Sequence, residues 1–339
     1  MSSHSSHAGG SAGTLLIIDG ATVEKLVTPQ EAFTAAEAAL KKTSSGVADQ
    51  DIRRTLALPG MPGSCLSLMY ASISGQPHYG AKVLSVSPRN FDYGLPSHQG
   101  GILLFEKERG RPVALVNGHA ITGLRTPAAT AVATATLARQ NASELAIIGY
   151  GEQAARHIQT IGLVRPIARI RVWGRDPGKA ATFAAAQRMG GYPAEVFSTA
   201  QEAVAGADIV CTVTSARFPV LEGRWISPGT HVNAVGASVA GLQEVDTECV
   251  VRSSVWVDYL PMALTSASDL VEPISTGIID RSHIIGEIGA VLNGDLRGRQ
   301  GASEITLYRS LGVPAQDIEL ANIVYQKAKA LGLGTEVSL

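Results

Sequence analysis

The chain has 339 residues, 45% of them hydrophobic and 17% charged, with 28 Lys and Arg against 29 Asp and Glu. That length holds two domains with sizeable cores, and the near-zero net charge leaves no general electrostatic attraction to nucleic acid or to an anionic membrane. No apolar run reaches the roughly 18 residues needed to span a bilayer, and no cysteine pair has the spacing of a zinc ribbon or a dithiol.

The first 13 residues are mostly Ser, His, Gly and Ala without an apolar core. This composition predicts a disordered polar tail and not a signal peptide, and His4 and His7 are expected to hold no metal. A helix is predicted over Thr28 to Thr43. Strands follow near Arg54 to Leu58, Cys65 to Tyr70, Ala81 to Val86, Gly100 to Glu106 and Pro112 to Asn117. Strands in succession with few helices between them predict a mostly antiparallel or mixed sheet. A long Ala/Thr-rich helix is expected around Arg125.

From Glu144 the pattern changes to short apolar runs alternating with helices. Strand Leu145 to Ile148, helix Gln153 to Leu163, strand Ile167 to Trp173 and helix Pro177 to Met189 come first. Strand Ala194 to Phe197, helix Ala200 to Gly206 and strand Asp208 to Val213 continue the series, and Thr230 to Val235 and Val255 to Asp258 read as further strands. Such continuous apolar strands are buried on both faces of a parallel sheet. A final helix, Ala315 to Leu331, packs back on the first unit. The fold class is therefore α/β, with a Rossmann-type parallel-sheet domain over 121–310. A discontinuous α+β substrate and dimerisation domain is built from 14–120 and 311–339, after the tail at 1–13.

The motif Gly149-Tyr150-Gly151-Glu152-Gln153-Ala154 follows a strand and opens a helix. In that context the first Gly allows a tight turn, the second lets backbone approach a pyrophosphate, and Ala154 permits close helix–sheet packing. Free amides and the helix dipole then favour the phosphates. At the end of the next strand, Arg175 suits a 2′-phosphate and the small Gly174 leaves room for it. Asp176 before Pro177 reads as a helix N-cap, and otherwise as an acceptor for a ribose hydroxyl. The cofactor is read as NADPH, with NADH as the alternative.

Three cations of the first unit stand where charge is out of character: Arg54 at a strand start, Lys82 inside a strand pattern, and Arg125 in the Ala/Thr helix. An arginine binds a carboxylate bidentately, and a nearby lysine adds charge or transfers a proton. His98 lies near these elements, placed to donate to cofactor phosphate or substrate, or to satisfy a loop carbonyl.

These residues resemble the ornithine cyclodeaminase/mu-crystallin family from about Arg54 to Tyr325. The carriers are Gly80-Ala81-Lys82-Val83, Pro96-Ser97-His98-Gln99, Leu124-Arg125-Thr126 and the glycine fingerprint. His231-Val232-Asn233-Ala234-Val235-Gly236-Ala237-Ser238, Gly286-Glu287-Ile288-Gly289 and Glu304-Ile305-Thr306-Leu307 follow, with Tyr308-Arg309-Ser310-Leu311-Gly312 last. The resemblance implies a homodimer whose substrate carboxylate is held by Arg54, Lys82 and Arg125, Arg54 being preferred to Arg53 from its spacing to Met69 and Lys82. It implies cofactor contacts by Arg125, Thr212, Thr214, Val235, Ser238 and Ser310. Ornithine cyclodeaminases carry an aspartate after Asn-Ala-Val-Gly, where this chain has Ser238. A serine hydroxyl is not ionised at neutral pH without an activating partner, so it cannot replace a carboxylate base.

The expectation is a cytoplasmic NAD(P)H-dependent ketimine reductase that turns Δ1-pyrroline-2-carboxylate or its six-membered homologue into L-proline or L-pipecolate. Lys82 and Ser238 act at the imine. The alternatives are an ornithine cyclodeaminase, an alanine or opine-type dehydrogenase, and an NADPH-dependent ligand-binding protein of the mu-crystallin type.

Overall fold

The computed structural model describes residues 13–338. The polar stretch with His4 and His7 lies outside the described residues. Chain order runs β1 (Thr14–Ile18), α1 (Gly20–Leu26), α2 (Pro29–Ser44), β2 (Ala48–Gln50) and β3 (Arg54–Ala57). Then come β4 (Cys65–Ile73), β5 (His78–Val86), β6 (His98–Glu106), β7 (Pro112–Asn117) and α3 (Gly118–Leu137). The second unit begins with β8 (Glu144–Ile148), α4 (Glu152–Ile161), β9 (Arg169–Trp173), α5 (Pro177–Met189), β10 (Ala194–Val196) and α6 (Ala200–Val204). It continues through β11 (Ile209–Thr212), β12 (His231–Ala234), α7 (Thr247–Val251), β13 (Ser254–Val257), α8 (Leu260–Ser266) and α9 (Ser268–Ser275). β14 (Ile284–Glu287), α10 (Ile288–Asn293), β15 (Thr306–Arg309), α11 (Pro314–Leu331) and β16 (Thr335–Ser338) close the chain.

Two sheets form, one from each sequence pattern. The first runs β16-β1-β7-β6-β5-β4-β2, with β3 also on β4. It is antiparallel except where β1 lies parallel to β7, so the sheet is mixed. The second runs β10-β9-β8-β11-β12-β15-β13-β14 and is parallel throughout. The late strand β15 inserts between β12 and β13, which brings the residues after Arg309 beside the ends of both.

Local chemistry explains the element ends. Thr28 and Glu31 form a reciprocal capping box at the start of α2, satisfying two orphan amides. Asp176 caps α5 through the Lys179 amide at 3.0 Å, ahead of Pro177. At the far end of α3 the Arg165 guanidinium donates to the carbonyls of Thr134, Ala135, Ala138 and Arg139. A positive charge there meets the carbonyls at the helix end, of which Thr134 also accepts from the Ala138 amide.

Helix α3 sits at the joint between the two units. Its small residues, including Ala128, Ala129 and Ala133, are buried in the first core with residues of α2 and α11. Alanine at these positions lets backbones approach closely. One end of α3 thereby faces the cleft, where Lys82, Arg125 and the glycine fingerprint come together.

Candidate active site

The cleft is built on three buried charges, Lys82, Arg125 and Asp317, and a fourth, Arg53, that is partly buried. Met69 and Lys82 are direct cross-strand partners on β4 and β5, so their side chains share the inner face of the sheet. Lys82 is 1% exposed, and its ammonium lies 2.6 Å from Asp317 Oδ2 on α11. The other carboxylate oxygen accepts from Arg125 Nε at 3.2 Å, and Arg125 is itself buried. Gly312 has φ +77°, and a Cβ there would stand 2.3 Å from an Arg125 terminal nitrogen. Only glycine gives both that backbone and that space.

The third cation is Arg53. Its guanidinium donates to the Ser238 carbonyl and the Leu311 carbonyl, each at 2.7 Å, and reaches the Ser238 hydroxyl at 3.3 Å. Its Nε stands 3.4 Å from the Met69 sulfur. Arg54 was expected in this place and does not reach it. Its side chain is 63% exposed and pairs with Asp51 at 2.8 Å. Strand alternation is the reason: Arg54 is opposite Leu68, and Leu68 is opposite Val83, on the outer face of the sheet.

These surroundings set the protonation of the cleft. Desolvation lowers Lys82 to about 7, with Asp317 opposing the shift and Arg125 adding to it. Burial raises Asp317, but Lys82 and Arg125 outweigh it and hold the carboxyl below its usual range. Burial takes Arg53 down to about 10, which still leaves it charged. Three cations therefore surround the Asp317 carboxylate, and Arg53 has no carboxylate in direct contact among the described residues, Asp317 and Asp258 acting on it only at a distance. A half-buried guanidinium held by carbonyls, a hydroxyl and a thioether sulfur, without a carboxylate, suits an incoming anion. His98 stands at the rim, with Nδ1 2.8 Å from the Ser97 hydroxyl. Crowding by protein, then the charges of Lys82 and Arg53, hold its imidazole down to about 4. It is neutral near pH 7, although part of the ring stays open to solvent.

The adjoining wall comes from the parallel sheet. Gly149 has φ +131°, and a Cβ there would press to 3.0 Å from the Val213 carbonyl oxygen. At Gly151 the same construction meets open space, and no side chain caps α4. A bare helix start beneath open space fits the diphosphate of a dinucleotide. Glu152, in the first turn, is 3.1 Å from His119 Nε2 and pairs with Arg156, while Gln153 and Ala154 continue the helix.

Four further sequence-predicted residues have specific placements. Thr212 and Thr214 commit their hydroxyls to Glu244, at 2.9 and 2.7 Å. Val235 is buried in the core of the parallel sheet. The Ser310 hydroxyl faces Asp258 at 3.5 Å. At the end of β9, Arg175 is exposed, with no charged partner among the described residues. The room expected at Gly174 is taken, because a Cβ there would lie 2.1 Å from the Tyr150 ring. That part of the sequence argument is corrected: glycine makes room for Tyr150, and the carboxylate of Asp176 serves as a helix cap.

Several shaping residues were not singled out in the sequence. Glu244 also accepts from the amides of Thr214, Gly236 and Ala237, tying the loops after β11 and β12 together. Asp258 accepts from the amides of Leu311 and Gly312, at 2.7 and 2.6 Å. Arg309 pairs with Asp269 at 2.8 Å and donates to the carbonyls of Ala234 and Ala237. Asp317 left a readable trace. Ala321, Val324 and Ala328 lie four, seven and eleven residues on, and all are fully buried. A carboxylate heading an apolar helical stripe is a charge placed on the inner face.

Fold and cleft together define a two-unit α/β protein with a dinucleotide-binding glycine turn and a buried cationic pocket at the joint. The model of the ornithine cyclodeaminase/mu-crystallin family matches residues 16–332, and the chain belongs to that family. A Δ1-pyrroline-2-carboxylate reductase of Bacillus cereus is 34% identical over 325 residues, covering 95% of this chain and 99% of that protein. The ketimine reductase mu-crystallin of Mus musculus is 31% identical, covering 88% and 91%. Among solved structures, Thermococcus litoralis Δ1-pyrroline-2-carboxylate reductase, in complex with NADH and L-proline, superposes with a TM-score of 0.92 at 33% identity. It covers 95% of this chain and all of that one. An archaeal alanine dehydrogenase dimer with bound NAD gives 0.90 at 31% identity, covering 96% and 99%.

Proposed function

We propose that this protein reduces a cyclic 2-imino carboxylate, Δ1-pyrroline-2-carboxylate or Δ1-piperideine-2-carboxylate, to L-proline or L-pipecolate with NADPH or NADH. The observation that carries the reading is the protonatable Lys82 beside two arginines, in a buried pocket next to the glycine turn. Likeness over nearly the whole chain to two reductases of Δ1-pyrroline-2-carboxylate supports it.

In this reading Arg125 and Arg53 hold the substrate carboxylate, supplying the anion that the pocket lacks. Holding it at two points fixes the imine carbon and nitrogen, and such orientation is worth several kcal/mol of a barrier. When bound in the glycine turn, the dinucleotide supplies the hydride that the imine carbon accepts. Lys82 gives its Nζ proton to the imine nitrogen as the C=N electron pair becomes the amine lone pair. With a pKa of about 7, it carries that proton in a substantial fraction of molecules at neutrality and releases it readily. The proton offsets the negative charge that hydride addition would leave on the ring nitrogen, so the product amine forms neutral and Lys82 stays uncharged until solvent restores its proton after product leaves. Ser238, beside Arg53, hydrogen-bonds the ring nitrogen or an intervening water. It offers no carboxylate base for cyclodeamination, and Asp317 is a weak base while it is paired to two cations.

The division of labour follows the two sheets, with 14–120 and 311–339 carrying Arg53, Lys82 and the dimer face and 121–310 carrying the cofactor, while Arg125 and Ser238 of the latter reach across to substrate. NADPH is the favoured cofactor because Arg175 is free to meet a 2′-phosphate while Asp176 is engaged in its cap. A homodimer forms through the outer face of the first sheet, where Tyr70, Ala81, Leu103, Leu115 and Ile17 make one lateral row across five strands. Helices α2, α3 and α11 occupy the other face. The compartment proposed is the cytoplasm; no helix among the described residues is long and apolar enough to cross a membrane.

Loss of NADPH absorbance with Δ1-pyrroline-2-carboxylate is the test, run beside NADH, beside pyruvate with ammonium, and beside L-ornithine with NAD. Rapid oxidation with the imine alone is the expected result. Ammonia from ornithine, or oxidation only with pyruvate and ammonium, would overturn the reading.

A further inference from the structure

We propose that Asp317 is a positioning residue for this reduction, its carboxylate fixing the Lys82 ammonium and the Arg125 guanidinium in working register and keeping Lys82 in its proton-carrying form. The inference rests on the imine-reductase reading and adds a residue that touches neither substrate nor cofactor in it.

The geometry is specific to one carboxylate bridging two cations. Oδ2 lies 2.6 Å from Lys82 Nζ and Oδ1 lies 3.2 Å from Arg125 Nε. Each oxygen is thus assigned to a different cation, one from β5 and one from α3. A single rigid group spanning two elements transmits its own position to both. Asp317 is fully buried and sits in the first turn of the 18-residue helix α11, where negative charge is favoured by the helix dipole. The start of α11 is anchored in turn, since the Ala315 amide donates to Gln50 Oε1 at 2.9 Å. Its neighbour Gln316 accepts from Arg125 at 3.4 Å.

The titratable and charged groups facing Lys82 are Asp317, Arg125, Arg53 and His98, and the Thr122 hydroxyl lies at 3.4 Å. Both arginines push the lysine toward its neutral form, and His98 is itself neutral near pH 7. Asp317 supplies the opposing attraction. Without it, a buried ammonium beside two guanidiniums loses its proton at lower pH. A carboxylate serving only to neutralise charge would act on stability alone. This one also sets the pH above which the donor is lost.

The experiment compares wild type, Asp317→Asn and Asp317→Glu in kcat/KM for Δ1-pyrroline-2-carboxylate across pH, with cofactor binding and thermal unfolding measured on each. Wild type is expected to show a descending limb near the lysine value of about 7. In Asp317→Asn the limb moves to lower pH, so the loss at about pH 8 exceeds that at about pH 6, by about tenfold per unit of displacement. In Asp317→Glu the charge stays and the carboxylate moves, so kcat falls while the limb and cofactor affinity hold. A limb that Asp317→Asn leaves in place, with a uniform loss at every pH, overturns the role of Asp317 alone. A wild-type profile without that limb overturns Lys82 as donor and this inference with it. Absence of imine turnover in wild type overturns the function instead. If Asp317→Asn does not fold, full wild-type kcat in Asp317→Glu overturns the positioning role.

Discussion

Replacing Arg53 with Met separates two adjacent arginines that the sequence alone does not rank. Met keeps an apolar stem against Met69 but removes the guanidinium. The structure gives that group four partners, the carbonyls of Ser238 and Leu311, the Ser238 hydroxyl and the Met69 sulfur, and no carboxylate among the described residues. Two losses follow. The two carbonyls lose charge-assisted donors, while the cost of burying an uncompensated cation is relieved. These effects oppose each other, so thermal stability changes little. The substrate carboxylate then enters a pocket missing one of its two arginines. Truncating one member of a buried, hydrogen-bonded charge pair costs about 2–5 kcal/mol, or roughly 30-fold to several thousandfold in kcat/KM. We expect the middle of that range for Arg53→Met, because Arg125 and Lys82 remain. Arg54→Met removes only an exposed pairing with Asp51 and is expected to stay within about twofold of wild type. Steady-state reduction of Δ1-pyrroline-2-carboxylate reads the contrast, with cofactor affinity and unfolding temperature as controls. Equal effects of the two variants, or a larger one at Arg54, would refute the assignment of Arg53 to the cleft.

Two further outcomes follow from the same geometry. Lys82→Met is expected to lower turnover by about 10²–10⁴-fold while cofactor binding persists, the range for loss of a general acid; near-normal turnover in a stopped-flow assay would remove Lys82 from the proton step. Arg175→Ser is expected to raise KM for NADPH about tenfold and leave KM for NADH unchanged, since one charge-assisted contact to a 2′-phosphate is lost. An equal change for both cofactors would show that Arg175 does not discriminate between them.

Much of the cleft was legible because its signals are local. Lys82 interrupts an apolar strand pattern, Arg125 interrupts a helix of Ala and Thr, and the glycine turn sits between a strand and a helix. Each is visible within about ten residues of chain. Arg53 was not legible. It lies in the turn between β2 and β3, and a choice of one residue at a strand start reverses every side chain after it. Spacing to Met69 and Lys82 favoured Arg54, and the pairing of Arg54 with Leu68 puts it outside. The room inferred at Gly174 failed for a similar reason: small residues admit whatever packs there, and here that is Tyr150, 24 positions earlier in the chain.

The chain by itself determined the two kinds of sheet, the dinucleotide turn, the cap of α5 and the presence of misplaced cations. All of these depend on periodicity and backbone chemistry over one element or one turn. The tertiary structure decided which charges meet. Asp317 reaches Lys82 across 235 residues and Arg125 across 192, and Arg53 reaches the Leu311 carbonyl across 258. Such pairings arise from where α11 lands on the first sheet and where β15 inserts in the second. Burial then does what no local pattern encodes: by withdrawing water it brings a lysine to about 7 and leaves a guanidinium in want of an anion.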